Sequence, residues 1–183
     1  MGELAAGRRR RVLPDVELGE TTETGAELTH ADILIVEDNP SDMKLVLHAM
    51  RAQHRNLQVT VVRDGEAALD YLMCRGQFAQ LAGAMPPRLV LLDLKIPKIN
   101  GFQVLAEVRK QPGTRLIPIV VLTSSNQTED ILKAYELGAN SYVQKPVDFD
   151  ALSNVILGLV AYWMGINLVP ANQRRQALGE SQA

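Results

Sequence analysis

Apolar residues occur along the chain in two alternating arrangements: short continuous runs, and stretches in which they fall three and four positions apart. The first suits strands and the second suits helices with one buried face. Ile33-Leu34-Ile35-Val36 is the first run of strand length. Asn39-Pro40-Ser41 then supplies turn and helix-start chemistry, and Met43, Val46, Leu47 and Met50 share one face of a helix expected over about 42–52. Val59–Val62 is a second strand, closed by Asp64-Gly65, and Ala67, Ala68, Tyr71 and Leu72 give the following helix its stripe, with Cys74 as a small core residue on it. A Gly- and Pro-containing loop over 75–87 leads to a third run, Leu89–Leu92.

The third run and a fourth over 117–122 lack polar alternation, as strands covered on both faces by crossover helices require. Helices are expected near 102–110 and 129–137, the latter stopped by Gly138 in a left-handed cap. Ser141-Tyr142-Val143 is a short fifth strand, and 149–163 carries Leu152, Val155, Ile156, Leu159 and Val160 at helical spacing. Five βα units in succession predict a doubly wound α/β fold, a three-layer sandwich around a parallel five-stranded sheet.

Residues 1–30 have no apolar periodicity, and a basic run at 8–11 stands beside an acidic, Thr-rich stretch, so they are expected to form a mobile tail. The domain is placed at 31–164 and a C-terminal extension at 165–183. With 183 residues and about 150 per domain, one domain is the expectation. Hydrophobic residues at 46% and charged residues at 22% supply a globular core, while a net charge of −2 gives no global attraction to nucleic acid or anionic membrane. No apolar run approaches the roughly 18–20 residues that a spanning helix needs, so a cytoplasmic location is expected. The single cysteine rules out an intramolecular disulfide, and His30, His48 and His54 lack metal-ligand spacing.

The strand ends carry the chemistry. Glu37 and Asp38 follow the first strand, Asp93 the third, Thr123 the fourth and Lys145 the fifth. In open parallel sheets, ligand sites form at this carboxyl edge, so these residues are expected to converge. Three carboxylates gathered there need a cation or a proton, and an oxygen-only donor set suits Mg²⁺. With the charge balanced, Asp93 is the best candidate nucleophile toward a phosphoryl group, and Lys145 and the Thr123 hydroxyl are placed to stabilise the transferred oxygens. Each residue alone has an ordinary explanation, as a cap or a surface charge; their joint placement does not.

Four segments carry a close resemblance to the response-regulator receiver family, the CheY-like phosphoacceptor domains of two-component signalling. They are Ile33-Leu34-Ile35-Val36-Glu37-Asp38-Asn39-Pro40, Val90-Leu91-Leu92-Asp93-Leu94-Lys95-Ile96-Pro97, Val120-Val121-Leu122-Thr123-Ser124-Ser125, and Gly138-Ala139-Asn140-Ser141-Tyr142-Val143-Gln144-Lys145-Pro146. The resemblance implies the flavodoxin-like strand order 2-1-3-4-5. It implies phosphorylation of Asp93 by a sensor histidine kinase, with Mg²⁺ held by Glu37, Asp38, Asp93 and the backbone carbonyl of Lys95. It makes Thr123 and Tyr142 the switch pair and Lys145 the phosphate-binding lysine, followed by a cis peptide at Lys145-Pro146.

The long 75–87 loop and the Pro-Lys-Ile-Asn-Gly segment resemble single-domain regulators paired with phytochrome-type kinases, so a bacteriophytochrome partner is the narrower expectation. A homodimer is expected as well, with Tyr162 and Trp163 in its interface. Two rivals share parts of this pattern. An aspartyl-nucleophile phosphatase of the haloacid dehalogenase type needs Asp-x-Asp, against Asp93-Leu94-Lys95 here. A pseudo-receiver scaffold would not need the five residues Glu37, Asp38, Asp93, Thr123 and Lys145 all intact.

Overall fold

A computed structural model describes residues 16–18, 31–53 and 56–169. Five strands, β2 (Ile33–Val36), β3 (Val59–Val62), β4 (Leu89–Leu92), β5 (Ile119–Thr123) and β6 (Ser141–Gln144), pair in parallel in the order β3-β2-β4-β5-β6. Counted as parallel strands alone, this is the expected 2-1-3-4-5. The helices are α1 (Pro40–Gln53), α2 (Gly65–Leu72), α3 (Gly101–Lys110), α4 (Thr128–Glu136) and α5 (Phe149–Val160).

Successive side chains on a strand point to opposite faces, and the core divides accordingly. Leu34, Val36, Val90 and Leu92 pack with α2 and α3, whereas Ile33, Ile35, Leu89 and Leu91 pack with α1 and α5. Continuous apolar runs in β2, β4 and β5 are therefore fully used, one residue in two on each side. Behind α4, which buries only Ala134, a small cluster of Leu94, Val121 and Ala134 meets Phe102 and Tyr142. Arg109 ties the far end together: it donates to the carbonyls of Gly138 at 2.8 Å, Arg115 at 3.0 Å and Ile117 at 2.9 Å, and to Asn140 Oδ1 at 2.9 Å.

Several expectations are corrected. Val16–Leu18, inside the segment expected to be a mobile tail, forms β1, which pairs antiparallel with β3 and makes the sheet six-stranded. A β-branched residue and a leucine around one glutamate suffice to pair with an open sheet edge, and three residues are too short for a periodicity to show. The rest of 1–30 lies outside the described residues, as do 170–183 of the C-terminal extension. The helix read as α1 starts earlier, at Pro40, because proline fits the first helical turn. Cys74 is not on α2; the helix ends at Leu72, and Cys74 adopts φ 52° and is partly buried against the core. The 75–87 loop contains a 3₁₀ turn, Gly76–Leu81, anchored by buried Phe78, whose ring meets Tyr71 edge-on at 5.1 Å.

At the C-terminal end, α5 runs on through a π-helical turn, Ala161–Ile166. The resulting helix Phe149–Ile166 has 18 residues, long and apolar enough by length and composition to cross a membrane, which no single run in the sequence had suggested. Leu152, Ile156 and Val160 bury one side of it in the sheet core. Tyr162 is exposed, but Trp163 and Met164 fold back on the core of the same chain, and Arg88 donates to the Met164 carbonyl at 2.8 Å. Of the two aromatic residues expected at a dimer interface, only Tyr162 stands outward.

Candidate phosphoacceptor site

Parallel pairing continues one residue past three strands and sets the site. Glu37 N donates to the Val62 carbonyl at 3.0 Å, Asp93 N to Val36 at 3.0 Å and Lys145 N to Thr123 at 2.7 Å. Glu37, Asp93 and Lys145 thus stand side by side where β2, β4 and β6 end, with Thr123 as the last residue of β5. All four are buried.

The Lys145 ammonium lies among three carboxylates: Glu37, Asp93 Oδ2 at 2.6 Å and Asp42 Oδ2 at 3.1 Å. The charge relief that three gathered acids demand is supplied here by this ammonium. Burial alone would pull the lysine's pKa down, but Asp93 and then Glu37 outweigh it and hold the pKa above the ordinary value. Burial pushes Glu37 up, and its bond to Lys145 only partly opposes this. Asp93 Oδ1 accepts from Lys95 N at 3.1 Å, so the loop after β4 wraps over the carboxylate.

Asp38, expected beside Glu37, is exposed, and the ion pairs of Lys145 go instead to Glu37, Asp93 and Asp42. Asp42 was missed in the sequence because an acid in the first turn of a helix is an ordinary dipole partner. The only available signal was its distance of one turn from the Glu37-Asp38 pair. The Lys145–Pro146 bond is trans, since no peptide bond among the described residues is cis. Proline isomers differ by only about 0.5–1 kcal/mol, so either isomer is accessible to this bond.

Among the described residues, no three His, Cys, Asp or Glu side chains converge as a ready metal site. The chemistry of the donors nevertheless fits a hard divalent ion: Glu37 and Asp93 are buried carboxylates at the ends of neighbouring strands, and the exposed Asp38 follows Glu37 in the chain. The Thr123 hydroxyl is fully buried and finds no hydrogen-bond partner among the described residues. Such an orphan next to Asp93 is ready to donate to an incoming oxygen.

The loop over 94–100 is fastened twice. Gly101 N donates to the Leu94 carbonyl at 3.1 Å, and a Cβ on Gly101 would stand 2.4 Å from the Asp93 carbonyl. On the other side, Gly65 N donates to Pro97 O at 3.3 Å, and Lys98, at φ 63°, pairs with Asp64 at 2.8 Å and Glu66 at 3.1 Å. Asp64 also caps α2 by accepting from Ala67 N at 2.8 Å. Burial would raise its pKa, but the Ala67 N–H and Lys98 outweigh burial and hold it below 3.8. A folded pKa below the unfolded one gives stability that is present above the unfolded value and lost as pH falls through the folded value. Asp64→Ala is therefore expected to cost about 1 kcal/mol at pH 7. In urea denaturation, the gap to the wild type should close in acid below the ordinary carboxylate range.

Tyr142 is half-buried on β6 and its hydroxyl donates to the Ser125 carbonyl at 3.1 Å. Ser125 in turn donates to Asp130 at 2.5 Å. The segment following Thr123 is thereby held between the ring of Tyr142 and the start of α4.

Residues 33–157 match the family model of the response regulator receiver domain. The chain belongs to the response-regulator receiver family. It is 34% identical over 139 residues to the response regulator Rcp1 of Synechocystis, covering 76% of this chain and 92% of that one. The crystal structure of the Mn²⁺-bound form of Rcp1 superposes with a TM-score of 0.71, over 78% of this chain and all of that chain (100%). The phosphorylated cyanobacterial phytochrome response regulator RcpA gives a TM-score of 0.72 at 36% identity, covering 78% and 99%. A probable methanogenesis regulatory protein, FilR2 of Methanothrix harundinacea, is 38% identical over 138 residues, covering 75% and 86%. The receiver is thus homologous to regulators of phytochrome signalling, and a receiver implies a histidine kinase as its partner.

Proposed function

We propose that this receiver takes a phosphoryl group from a sensor histidine kinase onto Asp93 and uses the change to alter its protein contacts. The observation that carries this reading is Lys145 held against Asp93 at 2.6 Å beside the buried hydroxyl of Thr123, which has no hydrogen-bond partner among the described residues. An Asp93 carboxylate oxygen attacks phosphorus as the bond to the donor nitrogen breaks, and the leaving imidazole keeps that electron pair. Lys145 and Thr123 take the transferred oxygens, which is charge stabilisation by groups already in place. Glu37, Asp38, Asp93 and the Lys95 carbonyl would hold Mg²⁺, which supplies neutralising charge to the phosphoryl oxygens when bound. No separate substrate turns over: the protein promotes its own phosphorylation and dephosphorylation.

Drawing Thr123 toward the phosphoryl group pulls the segment that Tyr142 holds through Ser125, and this is the reading's switch. A bacteriophytochrome as the kinase is supported by the likeness to RcpA. We also propose that the protein works in the cytoplasm and pairs as a homodimer through the outward face near Tyr162, continuous with exposed Ile166 and Leu168. The metal assignment is tested by titrating Mn²⁺ into the wild type and Asp38→Asn. Loss of one charged ligand is expected to weaken binding about tenfold. Equal affinity would remove Asp38 from the site.

A further inference from the structure

We infer that Asp42 is a positioning residue for Lys145, holding its ammonium over Asp93 through the phosphorylation reaction. The inference rests on the phosphoacceptor reading above. An ammonium has three N–H donors, and in this site three carboxylates take them: Glu37, Asp93 and Asp42. Two of the three acceptors have other duties. Glu37 and Asp93 are the acids that a divalent ion would engage, and Asp93 loses its free carboxylate charge when it is phosphorylated. Asp42 has no such second task. It stands in the first turn of α1, where Met43 N donates to the Asn39 carbonyl at 3.0 Å and Ser41 N to Asn39 Oδ1 at 2.9 Å, so its backbone is fixed.

Lysine is a flexible four-carbon chain, and a fixed third acceptor narrows where its ammonium rests. Without Asp42, a buried N–H is left unpaired, and Lys145 is free to follow Glu37 away from Asp93. Asp42→Ala removes the acceptor altogether, whereas Asp42→Asn keeps an oxygen in place and removes only the charge. The two variants therefore separate positioning from bulk electrostatics.

The test uses the full chain with two readouts. The first is the rate of the phosphoryl adduct on Asp93 with acetyl phosphate and Mg²⁺. The second is acylation of Lys145 by an amine-reactive ester in the unphosphorylated protein, read by peptide mass, with thermal unfolding measured alongside. Asp42→Ala is expected to slow adduct formation about tenfold, the equivalent of one lost buried hydrogen bond. It should raise Lys145 labelling several-fold, with Asp42→Asn recovering most of both effects. An Asp42→Ala protein that matches the wild type in rate, whatever its labelling, overturns the inference and leaves the phosphoacceptor reading standing. A wild type that forms no adduct while Asp42→Ala still exposes Lys145 overturns that reading instead and supports Asp42 as the lysine's anchor.

Discussion

Replacing Lys145 with methionine is expected to lower stability by about 3 kcal/mol in EDTA at neutral pH, because it leaves Glu37 and Asp93 buried without their shared counter-charge. The sign with pH follows from both partners. Lys145, with its folded pKa above 10.5, contributes fully below that value and loses its contribution only as pH rises through the folded pKa. In the variant, the two bare carboxylates repel, and acid relieves the repulsion by protonating the buried Glu37, since burial already holds its pKa above 4.5. The stability gap should therefore be widest at neutral pH and narrow as pH falls toward that raised value. Millimolar Mg²⁺ should recover much of the loss, as a second cation fills the same electrostatic need. Phosphorylation should not recover: loss of a preorganised donor is expected to slow it about 100-fold even at saturating Mg²⁺. Urea denaturation with and without Mg²⁺ reads the first effect, and a time course of adduct formation reads the second. A variant as stable in EDTA as the wild type would contradict the charge balance described.

Gly65→Ala should have a comparable effect by another route. A Cβ there would stand 1.9 Å from the Ile99 carbonyl oxygen and 2.8 Å from Val104 Cγ2. The nearest atoms are backbone, so relief requires α2 or the 94–100 loop to move as a piece. Overpacking of this kind costs about 3 kcal/mol. The Gly65 to Pro97 hydrogen bond and the Lys98 pairs with Asp64 and Glu66 then loosen together. Since Lys95 sits in the same loop, with its N–H on Asp93 Oδ1 at 3.1 Å, the damage should reach the acceptor. The expected result is a lower unfolding midpoint together with weaker Mn²⁺ binding. A fully stable variant would show that the loop yields without cost.

Most of the sheet was legible because its strands are buried on both faces. Ile33–Val36 and Leu89–Leu92 have no polar position to confuse the pattern, and all eight side chains are used by the two opposed cores. The four residues at strand ends were legible for the same reason: parallel strands bring their carboxyl ends to one edge, whatever the distance in sequence. β1 was not legible, because a three-residue edge strand is set by the open side of β3 rather than by its own periodicity. Asp42 was hidden by its suitability as a helix-start acid. The acids at the strand ends call for positive charge, but the sequence does not show that Lys145, expected as a phosphate contact, also pairs with Glu37 and Asp93. Pairwise charge is a property of the folded edge, and spacing along the chain does not reveal which partner reaches which.

The central claim is that Asp93 accepts a phosphoryl group in a cation-dependent reaction. It is tested most directly by intact-protein mass after incubation with acetyl phosphate, with Mg²⁺ or with EDTA, for the wild type and Asp93→Asn. The account predicts one phosphoryl adduct on the wild type with Mg²⁺, and none in EDTA or on Asp93→Asn. A wild type that stays unmodified under every condition, or an adduct that persists on Asp93→Asn, would contradict it.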